Sequence, residues 1–474
     1  MISLVKNEMY KILHKKAIYV VAIIALAGAL LMSILDKSIT NSVVDLNTML
    51  YEEQLKTCVD NVEPIDAQKC AHAKAGLEQI NFIKEKKIVN ESKEMYVVRN
   101  DLFDAQLEYY TLIYSKADES AIETSKKKVD EAIELINNYD AIKYINTKME
   151  EAKAEQVEAC SDPNSNECIA ANDDIVAIQY RIDNNIPYSY NDASSSLDSY
   201  SSIHAKYLDV RDKNDKFLNY NEIIDKRNSE ATYKTAKYML DNKILTNDYK
   251  DYSSGSELVD GFKTLSFFVI LIIIMLSATN VADEFNKGTI KQLLVKPFSR
   301  TKILVSKLIA VFAVSVIFMF IIEIGINVIA GLVNGDIHTI IGKQVIFNYH
   351  THEAMYMNTI VLSLYAALLS LPRIILLELF IFTMSVITTN AAFALGLGFG
   401  AYISEEVFAI FMKKFPFLSY SPTLNYQFND FAFGAISPYK DIFLTKSIIV
   451  SVVSFVVLLT VSIIVFNKKD IKNQ

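Results

Sequence analysis

The chain has 474 residues, 51% of which are hydrophobic, and a formal net charge of −8. These averages combine two unlike regions: residues 36–260 hold 27 basic and 43 acidic residues, whereas the remainder holds 20 basic and 12 acidic residues and all of the long apolar runs. A single soluble globular domain is therefore excluded, and so is a nucleic-acid-binding protein, which would need a basic domain rather than an acidic one.

Six apolar stretches are long enough to cross a bilayer, because a membrane-spanning helix needs about 20 mostly apolar residues. The first carries no charged residue and has no clean Ala-x-Ala site at its end, so an uncleaved anchor is favoured over a secretory signal. The stretch 355–371 is apolar but is followed by Pro372. It can be a separate crossing, a re-entrant helix or an interfacial helix, and we favour the re-entrant or the interfacial helix. The six predicted spans cover residues 17–35, 261–282, 303–333, 372–389, 391–411 and 446–466.

Lysine and arginine are concentrated in three short flanks, at residues 1–16, 283–302 and 467–474. Cytoplasmic flanks of membrane spans carry such an excess. Six spans place all three flanks on one side, although Lys413 and Lys414 would then lie outside. We therefore predict a multi-pass protein of the cell membrane with both termini in the cytoplasm and with residues 36–260 outside the cell.

The region 36–260 contains two glycines and three prolines, and this scarcity of helix breakers predicts long helices. Two apolar stripes at helical spacing predict an antiparallel, coiled-coil-like helical hairpin whose stripes form a core. The segment 186–191 contains two tyrosines between helical stretches and is a candidate aromatic contact surface. The stripes are Met95, Val98, Leu102, Ala105, Tyr109, Leu112 and Val129, Ile133, Ile136, Tyr139, Ile142, Ile145, Met149. The predicted fold class is thus an all-α membrane protein with six transmembrane helices and a mostly helical inserted domain.

All four cysteines lie in this region as two close pairs, which is typical of disulfides in a non-cytoplasmic domain. Four cysteines allow three pairings, and the spacing favours Cys58 with Cys70 and Cys160 with Cys168. A zinc site is disfavoured because neither pair has the ligand spacing of a zinc ribbon.

Sequence motifs for catalysis are absent. The chain has no G-x-x-x-x-G-K-[ST] loop for nucleotide phosphates, no H-E-x-x-H and no G-x-S-x-G. A weak metal or pH role for the loop 350–353, with two histidines and a glutamate, is less favoured than a solvated loop. We predict no catalytic residue, no metal site and no cofactor in this chain.

The segment that follows the second span, 284–300, predicts a short amphipathic helix that Pro297 terminates before the third span. Such a helix beside the membrane can insert into a partner's groove or lie on lipid headgroups. The segment resembles the first cytoplasmic loop of ABC exporter permeases of the six-span type-2 family. The matching residues are Glu284, Gly288, Thr289, Leu293, Leu294, Pro297, Ser299 and Arg300.

The resemblance implies a membrane-spanning permease subunit whose loop 283–302 docks on a separately encoded ABC ATPase, which would hold ATP and Mg. It also implies an amphipathic elbow helix at residues 1–16, a second permease subunit in a homo- or heterodimer, contact with membrane lipids, and export of an amphipathic or lipidic substrate such as an antimicrobial peptide or an envelope lipid. The large region 36–260 lies outside the minimal family pattern. The alternative is a membrane sensor or structural protein that transports nothing and whose acidic domain binds a cell-envelope partner.

Charged residues inside the predicted spans are expensive and are expected to face other helices or a cavity. Glu323, Glu378 and Arg373 are therefore candidates for a transport path, with Arg373 a possible partner of Glu378. Glu405 and Glu406 in the fifth span raise the same question. The competing interpretation of each is a structural ion pair.

Overall fold

The computed structural model describes residues 1–59, 66–90, 92–189, 192–245, 257–290, 298–334 and 341–469, without the side chains of 36–46, 59, 192, 257 and 334. The chain divides into two compact units. One unit, here the membrane unit, comprises Met1–Ile34 and Asp251–Gln474. The other, here the inserted unit, comprises Leu35–Lys250.

The membrane unit is built almost entirely from helices. Its core is aliphatic and lies where α13, α14 and α15 pack on one another and on the amino-terminal helices. The helices are α1 Ile2–Leu13, α2 Lys16–Val59, α12 Glu257–Thr264, α13 Phe267–Asn286, α14 Arg300–Asn334, α15 Thr359–Thr388, α16 Ala391–Phe411, α17 Pro422–Asn425 and α18 Leu444–Lys468, with 3-10 turns at Pro416–Tyr420 and Phe428–Gly434.

Six helical segments within the described residues are long and apolar enough to cross a membrane, which confirms the all-α membrane fold. The second candidate span includes a break, because α12 and α13 are separated at Leu265, whose φ is +56°. The segments are Lys16–Leu35, Leu258–Asn286, Arg300–Val333, Thr359–Thr388, Ala391–Phe411 and Leu444–Lys468.

The fourth span differs from the prediction. Residues 359–371 are neither an interfacial nor a re-entrant helix, because they form one continuous helix with the predicted fourth span. Pro372 lies inside this helix. Proline is tolerated at such a place in a membrane because neighbouring helices and side chains can satisfy the backbone groups that it frees.

A β-hairpin stands where the sequence predicted only a short loop. The strands β1 Lys343–Asn348 and β2 Glu353–Asn358 pair antiparallel, with Lys343 opposite Asn358 and Asn348 opposite Glu353. The backbone N–H of Tyr349 donates to the carbonyl oxygen of Phe433 at 2.8 Å, which ties the hairpin to the loop before the last span.

The inserted unit is also helical in its described part. Capping side chains begin several of its helices: Asp66, Ser92, Asp140 and Ser165 each accept a hydrogen bond from a backbone N–H of the first turn. Beyond the end of α2, the unit has α3 Ala67–Lys86, α4 Lys93–Val97, a π-helical turn Val98–Leu102, α5 Phe103–Tyr114, α6 Glu119–Asn137, α7 Ala141–Ala159, α8 Asn166–Asn184, α9 Asp192–Asp198, α10 Tyr200–Arg211 and α11 Tyr220–Asp241, with a 3-10 turn at Asp215–Phe217.

Val98 and Leu102 of the first predicted stripe share one core with most of the second stripe, but the second stripe is divided between α6 and α7. Asp140 begins α7 by accepting hydrogen bonds from the N–H groups of Ile142 and Lys143. Ile142 is consequently 73% exposed and is no part of the core. The single long helix expected for this stripe was therefore wrong, because a capping aspartate interrupts it.

Both predicted disulfides are confirmed. Cys58 is bonded to Cys70, with a Cα–Cα distance of 6.0 Å, and Cys160 to Cys168, with 4.5 Å.

Tyr188 belongs to the core of the inserted unit and not to a contact surface. It is 7% exposed, and the guanidinium carbon of Arg181 lies 4.0 Å from the centre of its ring. Arg181 is itself buried and forms an ion pair with Asp198 at 2.5 Å. Tyr190 and Asn191, the other half of the proposed contact surface, lie outside the described residues.

Candidate functional site

The predicted coupling residues are grouped at the end of α13 and the start of α14. Glu284 lies in the last turn of α13, and Thr289 Oγ1 donates to the carbonyl oxygen of Glu284 at 3.4 Å. Between them Gly288 has a φ of +69°, in the left-handed region that favours glycine. Arg300 begins α14. Leu293, Leu294 and Pro297 lie outside the described residues.

Lys307 of α14 joins the amino-terminal helix to the start of the predicted coupling loop, residues 283–302, which is called the coupling segment below. Its Nζ lies 2.6 Å from Glu8 Oε2 and 2.7 Å from Glu284 Oε2. The side chain of Lys307 is fully buried, and those of Glu8 and Glu284 are 3% and 13% exposed. Lys11 completes the group at its edge, 2.8 Å from Glu8 and 3.2 Å from Glu284. We call these four residues the elbow cluster.

A second pair extends the same contact towards the start of the first span. Lys15 Nζ donates to Thr279 Oγ1 at 2.9 Å and lies 3.3 Å from Asp283 Oδ2. Asp283 directly precedes Glu284 of the elbow cluster. Two successive acidic residues at the end of α13 are therefore each held by a lysine of the amino-terminal segment.

The pKa values of Glu8 and Lys11 follow from this pairing. Burial raises the pKa of Glu8, but Lys307 and Lys11 outweigh burial and leave the pKa below its usual value. Burial lowers the pKa of Lys11, but Glu8 and Glu284 outweigh it and raise the pKa. Both groups are therefore charged at neutral pH, and the cluster is electrostatically matched.

Arg300 binds the carboxyl-terminal tail. Its Nη1 donates to the carbonyl oxygens of Asn467 and Lys469, each at 3.1 Å. Lys469 Nζ in turn donates to the carbonyl oxygens of Val386 and Ile387 at 2.8 and 2.9 Å. The start of α14, the end of α15 and the end of α18 are thus joined at the same end of the helical bundle.

The elbow cluster and the contacts of Arg300 connect four helix ends around the coupling segment. The roles of Lys307 and Asp283 were not anticipated from the sequence. A signal was present, however, since a lysine inside an otherwise apolar span requires a partner.

Of the transport-path candidates, Arg373 pairs with Glu405 and not with Glu378. Arg373 Nη2 lies 3.1 Å from Glu405 Oε2, and the hydroxyl of Tyr426 donates to the same oxygen at 2.9 Å. The guanidinium also donates to the carbonyl oxygen of Thr264, at the break between α12 and α13. Arg373 and Glu405 thus form a buried ion pair beside the break between α12 and α13.

Glu323 caps the interrupted second span. The backbone N–H of Ser266, the residue before α13, donates to Glu323 Oε1 at 2.7 Å. Glycine at position 261 makes room for this carboxylate, because a Cβ there would lie 2.7 Å from Glu323 Oε2.

Glu378 is set apart from these pairs. It is 1% exposed, and neither carboxylate oxygen has a hydrogen-bond partner in standard geometry among the described residues. It lines an apolar cavity of about 150 Å³ between α14, α15 and α18, whose other walls include Phe312 and Phe455.

Among the described residues, no group of three or more His, Cys, Asp or Glu side chains is placed to hold a metal ion. Apart from Glu378, the charged groups described above are arranged as pairs and caps.

Comparison with known proteins supports one family. A family model described as ABC-2 family transporter protein matches residues 2–471. The chain is also 26% identical over 250 residues to the uncharacterized protein YhcI of Bacillus subtilis (strain 168), across 48% of this chain and 76% of that protein. No solved structure matches the chain.

Proposed function

Because the chain belongs to the ABC-2 transporter family, it is a membrane permease subunit of a transporter that works with an ABC ATPase, and we propose that it drives export through a coupling segment at residues 283–302. In this proposal ATP and Mg are held by the partner ATPase. The amino and carboxyl termini and the coupling segment lie in the cytoplasm, and the inserted unit lies outside.

The observation that carries the proposal is the elbow cluster. Glu284, at the start of the coupling segment, shares the buried Lys307 with Glu8 of α1. Buried charges at such short distances are costly to separate. Movement of the coupling segment would therefore carry α1 and α14 with it rather than bend the loop alone.

The mechanism that follows is mechanical. Closure of two ATPase subunits on ATP would push the coupling segment, and the elbow cluster and Arg300 would pass that displacement to the spans. At the opposite bundle end, the break at Leu265 gives the second span a place to pivot, with Glu323 capping the start of α13.

A second permease subunit would complete the path. The candidate spans α16 and α18 are mostly exposed in the single chain, since only 17% and 11% of their apolar windows are buried. In a membrane such faces contact lipid or another subunit. The proposed cargo is an amphipathic or lipidic molecule, including a membrane-active peptide, because a path between apolar helices with a few polar groups suits a molecule of mixed polarity.

The first experiment tests the partner. The full chain is expressed with its neighbouring genes, purified in mild detergent, and the copurifying proteins are identified. We expect an ATPase with a Walker A sequence in stoichiometric amount. A chain that purifies alone and transports nothing would favour the sensor or structural alternative.

The second experiment tests the coupling segment within that complex. Glu284→Lys is expected to uncouple ATP hydrolysis from transport, because it places a third positive charge beside Lys307 and Lys11. Lys413→Glu, a charge reversal at the opposite bundle end, is the control and should leave coupling intact. Equal ATPase stimulation and equal transport in both variants would contradict the proposal.

The third experiment tests orientation. Thr289→Cys supplies a thiol at an otherwise cysteine-free part of the chain, since all four native cysteines are in disulfides. A membrane-impermeant maleimide should label it in inside-out vesicles and not in intact cells. Labelling in intact cells would place the segment outside and refute the coupling role.

A further inference from the structure

A polar cavity lies at the bundle end opposite the elbow cluster. It has a volume of about 540 Å³, within the range of small-ligand sites, which is roughly 300–1,000 Å³. Strand β1, α12, the first turns of α15 and the 3-10 turn Phe428–Gly434 form its walls. The residues used below are Gln344, Asn429, Asp430, Asp260, Lys263, Tyr365 and Phe433, all of which line it.

Two buried polar atoms in the cavity walls lack partners among the described residues. Gln344 is 6% exposed, and its Nε2 has no hydrogen-bond acceptor. Asn429 Oδ1 is buried without a donor. The other atom of that amide is fixed, because Asn429 Nδ2 donates to Ser370 Oγ at 2.7 Å. Both residues line the cavity, and each holds one polar atom that is buried in the wall and unpaired among the described residues, so a side-chain rotation towards the cavity would offer a ligand one donor and one acceptor.

The charge of the cavity is negative. Asp260 and Lys263 form an ion pair at 3.1 Å, which leaves Asp430 as the surplus charge among the lining groups. Burial raises the pKa of Asp430 above its usual value, and the nearby Arg373 offsets this only in part. Because Arg373 is itself paired with Glu405, Asp430 is the group that a positively charged ligand would approach.

The apolar part of the wall is aromatic. The rings of Tyr365 and Phe433 pack with their centres 4.8 Å apart. Gly434, with a φ of +83°, allows His350 to lie against the backbone, since a Cβ there would come within 2.8 Å of that imidazole. The β-hairpin and the 3-10 turn are thereby held together as a preformed wall.

We propose that this cavity binds a peptide segment that carries a cationic side chain. A peptide group presents a carbonyl oxygen for Gln344 Nε2 and an N–H for Asn429 Oδ1, and the cationic side chain would pair with Asp430. The proposal concerns binding alone and does not depend on the coupling segment, so its test requires neither the ATPase nor transport.

The test uses the full chain in lipid nanodiscs and three small probes followed by saturation-transfer NMR titration. N-acetyl-lysine-N-methylamide has both the peptide groups and the cation. N-acetyl-norleucine-N-methylamide lacks only the cation, and n-butylammonium lacks the peptide groups. We expect saturable binding of the lysine probe, and binding at least several-fold weaker for the other two.

Two variants assign the binding to this cavity. Gln344→Met removes the free donor at nearly constant length, and Asp430→Asn removes the surplus charge. Each should weaken binding of the lysine probe about tenfold, the loss expected from one hydrogen bond or ion pair. Lys343→Met, on the exposed side of the same strand, is the matched control and should bind as the wild type does.

Three results would overturn the proposal. They are an absence of saturable binding of the lysine probe to the wild type, wild-type affinity in both Gln344→Met and Asp430→Asn, or an equal loss in Lys343→Met. Unchanged melting temperatures of the variants verify that any loss comes from the site, since replacing an unpaired amide by an apolar side chain should not unfold the chain.

Discussion

Replacing Lys307 by methionine is the sharpest test of the elbow cluster. The substitution removes the ammonium group that lies 2.6 Å from Glu8 and 2.7 Å from Glu284, while keeping a long side chain in the same space. Two buried carboxylates then lose their shared cation and face each other. We expect α1 to detach from the bundle and the protein to be markedly destabilised.

The burial of the elbow cluster sets how much free energy of unfolding the substitution should remove. Removing one member of a buried ion pair costs about 3–5 kcal/mol, because the remaining charge is left unpaired. The side chain of Lys307 is 0% exposed, so this value applies. Lys11 contacts the same two carboxylates but is 42% exposed, and an exposed pair contributes about 0–1 kcal/mol. Lys11→Met is therefore the matched control, with the same chemical change at a solvated position.

The assay is unfolding of the detergent-solubilised chain, together with the rate of proteolysis in residues 1–16. Lys307→Met should lower the free energy of unfolding by several kcal/mol more than Lys11→Met and should expose α1 to protease. Equal effects of the two substitutions, or an intact α1 in both, would refute the assignment of Lys307 as the buried centre of the cluster.

The pH dependence of stability independently tests whether the charges of the elbow cluster stabilise the fold. In the wild type the pKa of Glu8 lies below its ordinary value of 4.5, so its stabilising contribution is present above that pH and is lost as the pH falls through the lowered pKa. In Lys307→Met the carboxylate of Glu8 loses its buried cation and keeps only the partly exposed Lys11, so protonation of Glu8 should relieve a buried charge that is poorly compensated. The difference in stability between the two proteins should therefore shrink on acidification, and a difference that grows would contradict this account.

Three further predictions concern other parts of the chain. The double substitution Cys160→Ser/Cys168→Ser should lower the free energy of unfolding of the inserted unit by about 2–3 kcal/mol in urea, and wild-type stability insensitive to reductant would contradict this. Gly261→Ala should destabilise the second span by about 1–3 kcal/mol, because the added methyl group would contact the carboxylate of Glu323. A double-mutant cycle with Glu323→Ala should show coupling between the two positions, and additive effects would contradict this contact. Glu378→Met should preserve or raise thermal stability, since it replaces a buried carboxylate that has no ion-pair partner among the described residues, while lowering transport; a loss of stability would argue that this carboxylate has a structural partner.

The amino-acid sequence alone determined the features that depend on local composition. Apolar runs of about 20 residues can be satisfied in a bilayer only as helices, so composition by itself predicts six spans, although the fourth begins at Thr359 and not at Pro372. The disulfide pairing followed in the same way, because cysteines 8 and 12 residues apart close short loops at a low cost in chain entropy. The loop 283–302 was recognisable because its spacing of glycine, leucine, proline and arginine is also a local pattern.

Tertiary structure decided which distant groups meet. Glu8 and Lys307 are 299 residues apart, and only the packing of α1 on α14 shows that they share one ion pair. Arg373 pairs with Glu405 rather than with Glu378, which is nearer in sequence, because helix rotation sets which side chains face each other. The β-hairpin and the cavity beside it were not predicted, for the same reason. Short strands and cavity walls are stabilised by residues from elsewhere in the chain, and a local sequence pattern does not identify those residues.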